Sequence, residues 1–161
     1  MGLVMFFHGI RLFALEMKLY SLCLCLLCLF GNRMVGEESK DPELTVRVSG
    51  AEPSEGRIHM VIFSSKSDYL KVPFKDLNRS VDEKGEVVFV LTLPKGQYSA
   101  CAFYDKNENG KLDKGFFGIP KELVAFSNQA KGLFGPPSYK ATLFELNKDT
   151  AHKLKLGKAK D

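Results

Sequence analysis

Oxygen-bearing side chains recur at alternate positions in one short stretch of the sequence: Asp105, Asn107, Asn109 and, after a gap, Asp113. Calcium is a hard cation that takes about six to eight oxygen ligands, and residues two apart can turn successive oxygens to one side of a loop. Gly110 stands where a calcium loop makes its sharp turn, and Lys111 would contribute only its backbone carbonyl. The spacing therefore predicts a calcium site over residues 105–113.

This loop departs from the EF-hand pattern after its first nine positions. Phe116 stands where an EF-hand has a bidentate Glu, and a strand rather than a helix is predicted before the loop. The candidate for the missing carboxylate is Glu122, folded back across the turn at 118–120. Asp, Asn and Gly are also common turn formers, because Asp and Asn side chains accept hydrogen bonds from nearby backbone amides. A calcium site and a metal-free structural turn are both open interpretations.

The segment from 105 to 138 is rich in Gly, Pro, Asn and Lys and is too long for a simple connection between strands. Long loops of this kind are usually functional. The candidate binding residues in it are three aromatic and two polar side chains: Phe116, Phe117, Phe126, Ser127 and Asn128. Phe134 and Tyr139 could line the same ligand surface. The alternative for all of these aromatic residues is that they pack the loop against the body of the domain.

The overall charge argues against a nucleic-acid partner. The chain has 161 residues, with 23 basic and 19 acidic side chains. Residues 1–36 hold Arg11, Lys18 and Arg33 against Glu16, so the remainder is nearly balanced. Nucleic-acid binding usually requires a clustered basic face. The length suits a single domain with one hydrophobic core.

The N-terminal segment has the pattern of a secretion signal. Met17 and Lys18 precede an apolar run from 19 to 30, which is shorter than the roughly 20 residues needed to span a bilayer. We predict an over-extended start at 1–16, a signal peptide at 17–36, and a periplasmic or extracellular protein. An uncleaved segment would anchor the chain to the membrane. Only Cys101 then remains, so no internal disulfide forms, and its apolar surroundings predict a buried, inert thiol.

The rest of the chain is organised as short strands. Period-two apolar patterns and intervening turn signals predict seven of them, at 44–48, 58–62, 78–81, 86–93, 97–104, 139–146 and 151–156. No window of helix length shows a 3.6-residue period. The predicted fold is an all-β, immunoglobulin-like antiparallel sandwich of about seven strands with one long loop. Its bounds are 43–157, between a flexible leader at 37–42 and a tail at 158–161.

Five motifs follow one another along the chain: Leu93-Pro-Lys-Gly-Gln-Tyr98, the stretch 103–113, Gly118-Ile-Pro-Lys-Glu122, Phe126-Ser-Asn128 and Gly135-Pro-Pro-Ser-Tyr139. In this order they resemble the bacterial family DUF2141. The resemblance implies an exported bacterial protein and brings no established activity. It also implies that the acidic loop, Glu122, Ser127 and Asn128 contribute to one site. The first motif is similar to the corresponding turn of transthyretin-like sandwiches, which implies that Tyr98 ties this turn to the next strand.

These features predict a non-enzymatic exported module that binds a partner or supports structure in the cell envelope. Its loop would be ordered by calcium or by hydrogen bonds, and would present residues 114–138 to an envelope protein or glycan. One alternative is a metal-assisted hydrolase that uses Asp105, Glu122 and Ser127 in an open cleft. Another is a purely structural component of an envelope complex that needs no metal.

Overall fold

The computed structural model describes residues 40–159, which form eight strands and little helix. The strands are β1 (Glu43–Ser49), β2 (Arg57–Phe63), β3 (Lys75–Ser80), β4 (Glu86–Thr92), β5 (Gly96–Asp105), β6 (Val124–Phe126), β7 (Leu143–Leu146) and β8 (Thr150–Lys155). Two 3-10 turns, Phe116–Gly118 and Ser127–Gln129, and the short helix α1 (Tyr139–Thr142) complete the described elements. The described residues do not include 1–39 and 160–161, and therefore do not include the extension predicted at 1–16 or the signal peptide predicted at 17–36.

The strands form two sheets. The three-stranded sheet has the order β4-β1-β8, and the five-stranded sheet has the order β3-β2-β5-β6, with β7 also paired to β5. Side chains from both sheets meet in one buried cluster, so the predicted all-β sandwich with a long loop is confirmed. Among the described residues, all members of this cluster lie between residues 44 and 156. The part of the chain from Lys40 onward is a compact unit built around this core.

Alternation along the strands decides which side chains enter this core. Leu44, Val46 and Val48 of β1 are fully buried, as are the matching alternate residues of β2, Ile58, Met60 and Ile62. On β5 the core face carries Tyr98, Ala100, Ala102 and Tyr104, as the sequence pattern predicts. The Tyr98 hydroxyl donates to the carbonyl of Pro94 at 2.8 Å. This bond ties the turn before β5 to the strand, in agreement with the resemblance.

The structure refines the predicted fold in three details. The sandwich has eight strands, because the long loop contains β6. The sheets are antiparallel except at one pair, since β8 runs parallel to β1. Residues 139–142 form α1 instead of the start of a strand, because the Ser138 hydroxyl accepts a hydrogen bond from the Ala141 amide and caps a helical turn. Pro42, at the end of the predicted leader, is buried, and its carbonyl accepts from the Leu93 amide.

The long strand β5 organises the rest of the domain. Its first residues, Gly96–Ser99, pair with β7, and Cys101–Phe103 pair with β6. The long loop thus leaves the end of β5 at Asp105 and returns to the edge of the same strand. The Cys101 thiol is free and lies on the outer side of β5, where burial raises its pKa to about 12 and keeps it protonated. Between residues 40 and 159 no helix is long and apolar enough to cross a membrane.

Candidate functional site

The carboxylate of Asp105 closes the first part of the long loop. Asp105 is the last residue of β5 and is fully buried. One of its oxygens accepts from the Asn109 amide at 3.1 Å, and the other accepts from the Gly110 amide at 2.8 Å. His59 Nε2 lies 3.3 Å from the second oxygen. Burial of a charged group is costly unless it is hydrogen-bonded, so these contacts fix the path of the chain as it leaves the strand.

The other oxygen-bearing side chains of the loop converge on Asp113. The Asn107 side-chain amide donates to its carboxylate at 2.9 Å, and the Asn109 side-chain amide donates at 3.1 Å. The amide oxygens of these two residues accept from the backbone amides of Asn109 and Lys111. We call residues 105–113 the Asp/Asn loop. In this arrangement its hydrogen bonds are satisfied internally, as in the structural-turn interpretation.

Glu122 joins the Asp/Asn loop from the far side of the next turn. Its carboxylate accepts from the backbone amide of Asp113 at 3.0 Å, so the predicted fold-back of this residue is present. Desolvation raises the pKa of Glu122, and the nearby charges of Asp105 and Asp113 add to the effect. The structure therefore brings together the six residues predicted as a metal site: Asp105, Asn107, Asn109, Lys111, Asp113 and Glu122.

A cation at this place would depend on amide and backbone oxygens. Across residues 40–159, no three side chains among His, Cys, Asp and Glu are grouped so that they could hold a metal ion. Asn107 and Asn109 direct their NH₂ groups toward Asp113, so both amides would have to rotate to offer oxygen to calcium. The donor types suit calcium, which accepts carboxylate, amide and carbonyl oxygens. The Asp/Asn loop can thus act as a closed turn or, after two amide rotations, as an oxygen-rich cation site.

A narrow hairpin extends directly from the Asp/Asn loop; we call residues 114–120 the first tip. Its base is closed by the Gly115 amide, which donates to the Ile119 carbonyl at 2.8 Å, and by the Lys121 amide, which donates to the Asp113 carbonyl at 2.9 Å. Phe116 and Phe117 at its apex are 90% and 96% exposed. The alternative that these two aromatic residues pack the loop against the body of the domain is therefore wrong.

A second exposed apolar pair lies further along the long loop; we call residues 131–135 the second tip. Leu133 and Phe134 are 81% and 97% exposed. A Cβ atom added to Gly132 would lie 1.9 Å from the Gly135 carbonyl oxygen, so the backbone turns back tightly on itself here. Only glycine tolerates this approach, and the second tip is consequently a closed turn.

The two tips border one groove of about 830 Å³, which we call the tip groove. Phe117 of the first tip and Phe134 of the second both line it. Its apolar lining includes Phe103 of β5 and the half-buried Phe126 of β6, which was predicted as a binding residue. Grooves of this size commonly hold small ligands or the side chains of a partner.

Ser127 and Asn128 have structural roles, so the prediction that they bind a ligand is not supported. Ser127 is fully buried in the gap between β6 and β7, where its hydroxyl accepts from the Ala100 amide and donates to the carbonyls of Ala100 or Thr142. The Asn128 amide donates to the Ala141 and Leu143 carbonyls at the end of α1. The Ser127 side chain thus closes the edge of β5, where a ligand cannot reach its oxygen, and the Asn128 side chain holds the end of α1.

Leu133 and the position of His59 were not predicted from the sequence. The imidazole of His59 stacks on Phe103 with a centroid distance of 4.7 Å and contacts Asp105. Its strand position gives no sign of this contact, because residues 59 and 105 are brought together only by the β2–β5 register. Leu133 could have been identified, because it forms an apolar pair with Phe134 between two glycines, as Phe116 does with Phe117.

Replacement of Ser127 by alanine should destabilise the domain without affecting a ligand. The change removes the acceptor for the buried Ala100 amide, and an unsatisfied buried donor costs about 1–3 kcal/mol. Chemical denaturation should show a loss of this size in the free energy of unfolding. Ser138→Ala, which removes only the hydroxyl cap of α1, is the matched control and should cost less. An unchanged stability for Ser127→Ala would contradict the structural role.

Comparison with known proteins gives one match. Residues 46–154 match the profile of a family described as uncharacterised and conserved in bacteria, DUF2141. No curated protein and no solved structure matches the chain significantly. The matched range covers well over half of the chain and extends from β1 to β8, so it includes the Asp/Asn loop, both tips and Ser127. The chain therefore belongs to the DUF2141 family.

Proposed function

We propose that this protein is an exported, non-enzymatic binding module of the bacterial cell envelope. The observation that carries the proposal is the pair of apolar tips beside the tip groove. Phe116, Phe117, Leu133 and Phe134 are each more than four-fifths exposed. Exposed apolar residues gathered at one place on a soluble domain typically mark an interaction site. The binding surface comprises both tips and the groove between them.

The proposal of a binding module is favoured over the hydrolase alternative by the position of Ser127. A serine nucleophile needs an accessible hydroxyl beside a general base. The Ser127 hydroxyl is buried, and its hydrogen bonds go to the backbone of Ala100 and Thr142. The two other residues of that alternative, Asp105 and Glu122, bond to the Asp/Asn loop instead.

The envelope location rests on the sequence of the N-terminal segment. Met17-Lys18 and the apolar run from 19 to 30 have the pattern of a signal peptide, and the family is conserved in bacteria. Export would place the tips among the proteins, glycans and lipids of the envelope, which are the candidate partners of this surface. Cleavage near Gly36 would leave the sandwich, which is a compact unit, free of the apolar segment.

We propose that the Asp/Asn loop supports the first tip and takes calcium as its ligand. Lys121 donates to the Asp113 carbonyl at the base of this tip, and Asp113 itself donates to Glu122. A cation bound mainly by amide and backbone oxygens beside these carboxylates would offset their mutual repulsion, which contributes to the raised pKa of Glu122. Calcium would thereby hold the base of the first tip closed. The closed turn without metal is the competing interpretation.

Calcium should raise the melting temperature of the protein, and Glu122→Gln should reduce that gain. A ligand at a hundred times its Kd stabilises the folded state by about 2.7 kcal/mol, which thermal melting resolves. Without calcium, the melting temperatures of wild type and Glu122→Gln should stand in a different order. A carboxyl group whose pKa is raised by folding destabilises the fold once pH exceeds that pKa, so Glu122→Gln in EDTA at neutral pH should melt at or above wild type.

The matched control for the calcium experiment is Asp82→Ala. Asp82 also accepts from two backbone amides in a turn, those of Lys84 and Glu86, but it lies outside the Asp/Asn loop. Its calcium gain should equal that of wild type, whereas Asp105→Ala with Asp113→Ala should lose the gain. If millimolar calcium leaves the melting temperature and the proteolysis of the loop unchanged, and the double variant behaves like Asp82→Ala, the calcium proposal is wrong.

The tips should be the part of the domain that touches its partner in the cell. A photoreactive benzoylphenylalanine at position 117 or 134, expressed in the bacterium that makes the protein, should give covalent adducts on illumination. The same probe at Val90, a half-exposed position on β4 in the other sheet, is the control and should give none. Fractionation should place the adducts in the periplasm or the envelope.

The same cross-linking experiment can contradict either part of the proposal. If the adduct yield is equal at positions 90, 117 and 134, the tips are not the specific binding surface. Recovery of a cytoplasmic protein that retains residues 17–36, read by mass spectrometry of its N-terminus, would contradict export. The two parts of the proposal are therefore separable in a single preparation.

A further inference from the structure

The two tips share one sequence pattern. The first tip contains Lys114-Gly-Phe-Phe-Gly118 and the second is Lys131-Gly-Leu-Phe-Gly135. In each, a lysine and a glycine precede an exposed apolar pair, and a second glycine closes the turn. The pattern occurs twice beside a single groove, so the two tips present the same chemistry to whatever they contact.

The charges around the tip groove have one sign. Within residues 40–159, every charged residue that lines it is a lysine: Lys114, Lys131, Lys155 and Lys158. Between 114 and 138 the single carboxylate is Glu122, which is held by the Asp113 amide at the Asp/Asn loop. An apolar surface with a cationic border is complementary to a ligand that is apolar inside and anionic at its surface.

Backbone geometry holds both apolar pairs in place. Phe117 has φ +62°, a left-handed conformation that non-glycine residues rarely adopt and that the surrounding chain must enforce. The hairpin bond from Gly115 to Ile119 closes the turn around it. Gly132 is confined by the close approach of the Gly135 carbonyl. The tips are thus constrained to project their side chains outward rather than fold them onto the domain.

The residue types at the tips fit a lipid surface better than a protein interface. Protein interfaces are enriched in aromatic residues, Met and Arg and depleted in Lys, and their strongest contacts come from three residue types, Trp, Tyr and Arg. Residues 114–138 contain none of these three types. Segments that lie at the boundary between lipid headgroups and acyl chains combine Lys with Phe and Leu, which is the composition of both tips.

We propose that the two tips dock the domain onto an anionic lipid bilayer. Phe116, Phe117, Leu133 and Phe134 enter the boundary between headgroups and acyl chains, while the groove lysines contact lipid phosphates. This inference rests on the proposed function, because it names the partner of the same binding surface. A bilayer is common to all the envelope sites that an exported bacterial protein reaches.

Vesicle binding by the segment 40–161 tests the proposal. This segment is the compact unit that contains the core and lacks the apolar residues 19–30, which would bind lipid themselves. It should sediment with vesicles of phosphatidylglycerol and phosphatidylcholine at low salt, and weakly with phosphatidylcholine alone. Added salt should weaken binding, because it screens the lysines. Loss of two inserted aromatic side chains, in Phe116→Ser with Phe117→Ser, should reduce the partition coefficient by at least about tenfold.

Variants outside and around the tips make the result specific. Val90→Ser removes an exposed apolar side chain from the other sheet and should bind as wild type does. Lys114→Glu with Lys131→Glu should lose binding to the anionic vesicles. Thermal melting first confirms that each variant folds. No binding to anionic vesicles, or equal binding by wild type and the Phe116/Phe117 variant, would overturn the proposal.

The outcome separates this inference from the proposed function. If vesicles do not bind but positions 117 and 134 still form specific adducts with one envelope protein, the partner is that protein, and only the lipid proposal fails. If neither vesicles nor adducts are found, the binding surface is elsewhere and both proposals fail. Adducts with lipid at positions 117 and 134, without adducts at Val90, would support both.

Discussion

The conformation of the long loop depends on the buried carboxylate of Asp105. It stands at the last position of β5, where the chain leaves the sheet, and accepts from the Asn109 and Gly110 amides. A buried carboxylate that water does not reach needs hydrogen-bond donors from the protein, so the residues that follow wrap around it. From there the contacts run in sequence: Asn109 to Asp113, Asp113 to Lys121 and Glu122, and Lys121 to the base of the first tip.

The edge of β5 supplies the second fixed point. β7 and β6 lie along the same side of this strand, and Ser127 fills the gap between them by bonding to Ala100. Ser99 and Thr142 hydrogen-bond beside it at 2.7 Å, so a buried polar network joins the strand to α1. The long loop is therefore held at both ends, by Asp105 and by Ser127. The tips between these ends are exposed because neither set of hydrogen bonds involves the tip side chains.

Sequence patterns predicted the parts of the fold that follow from local chemistry. Period-two alternation identified the core faces of β1, β2 and β5, and the spacing of Asp and Asn identified the Asp/Asn loop together with Glu122. The failures depend on contacts distant in sequence. The burial of Ser127 follows from a gap between two strands on one edge, and the parallel direction of β8 follows from the sheet order. Apolar residues in a loop look alike in sequence whether they pack or project, so the exposure of Phe116 and Phe117 required the structure.

Hydrogen–deuterium exchange in an Asp105→Ala variant tests most directly whether the buried carboxylate organises the site. We expect faster exchange at the amides of Gly110, Gly115 and Lys121, which lie along the chain of contacts from Asp105 to the first tip. The β1–β4 amides of the other sheet should keep their wild-type protection, as should all of these amides in Asp82→Ala. Unchanged protection of Gly115 and Lys121 in Asp105→Ala would show that the first tip is ordered independently of Asp105.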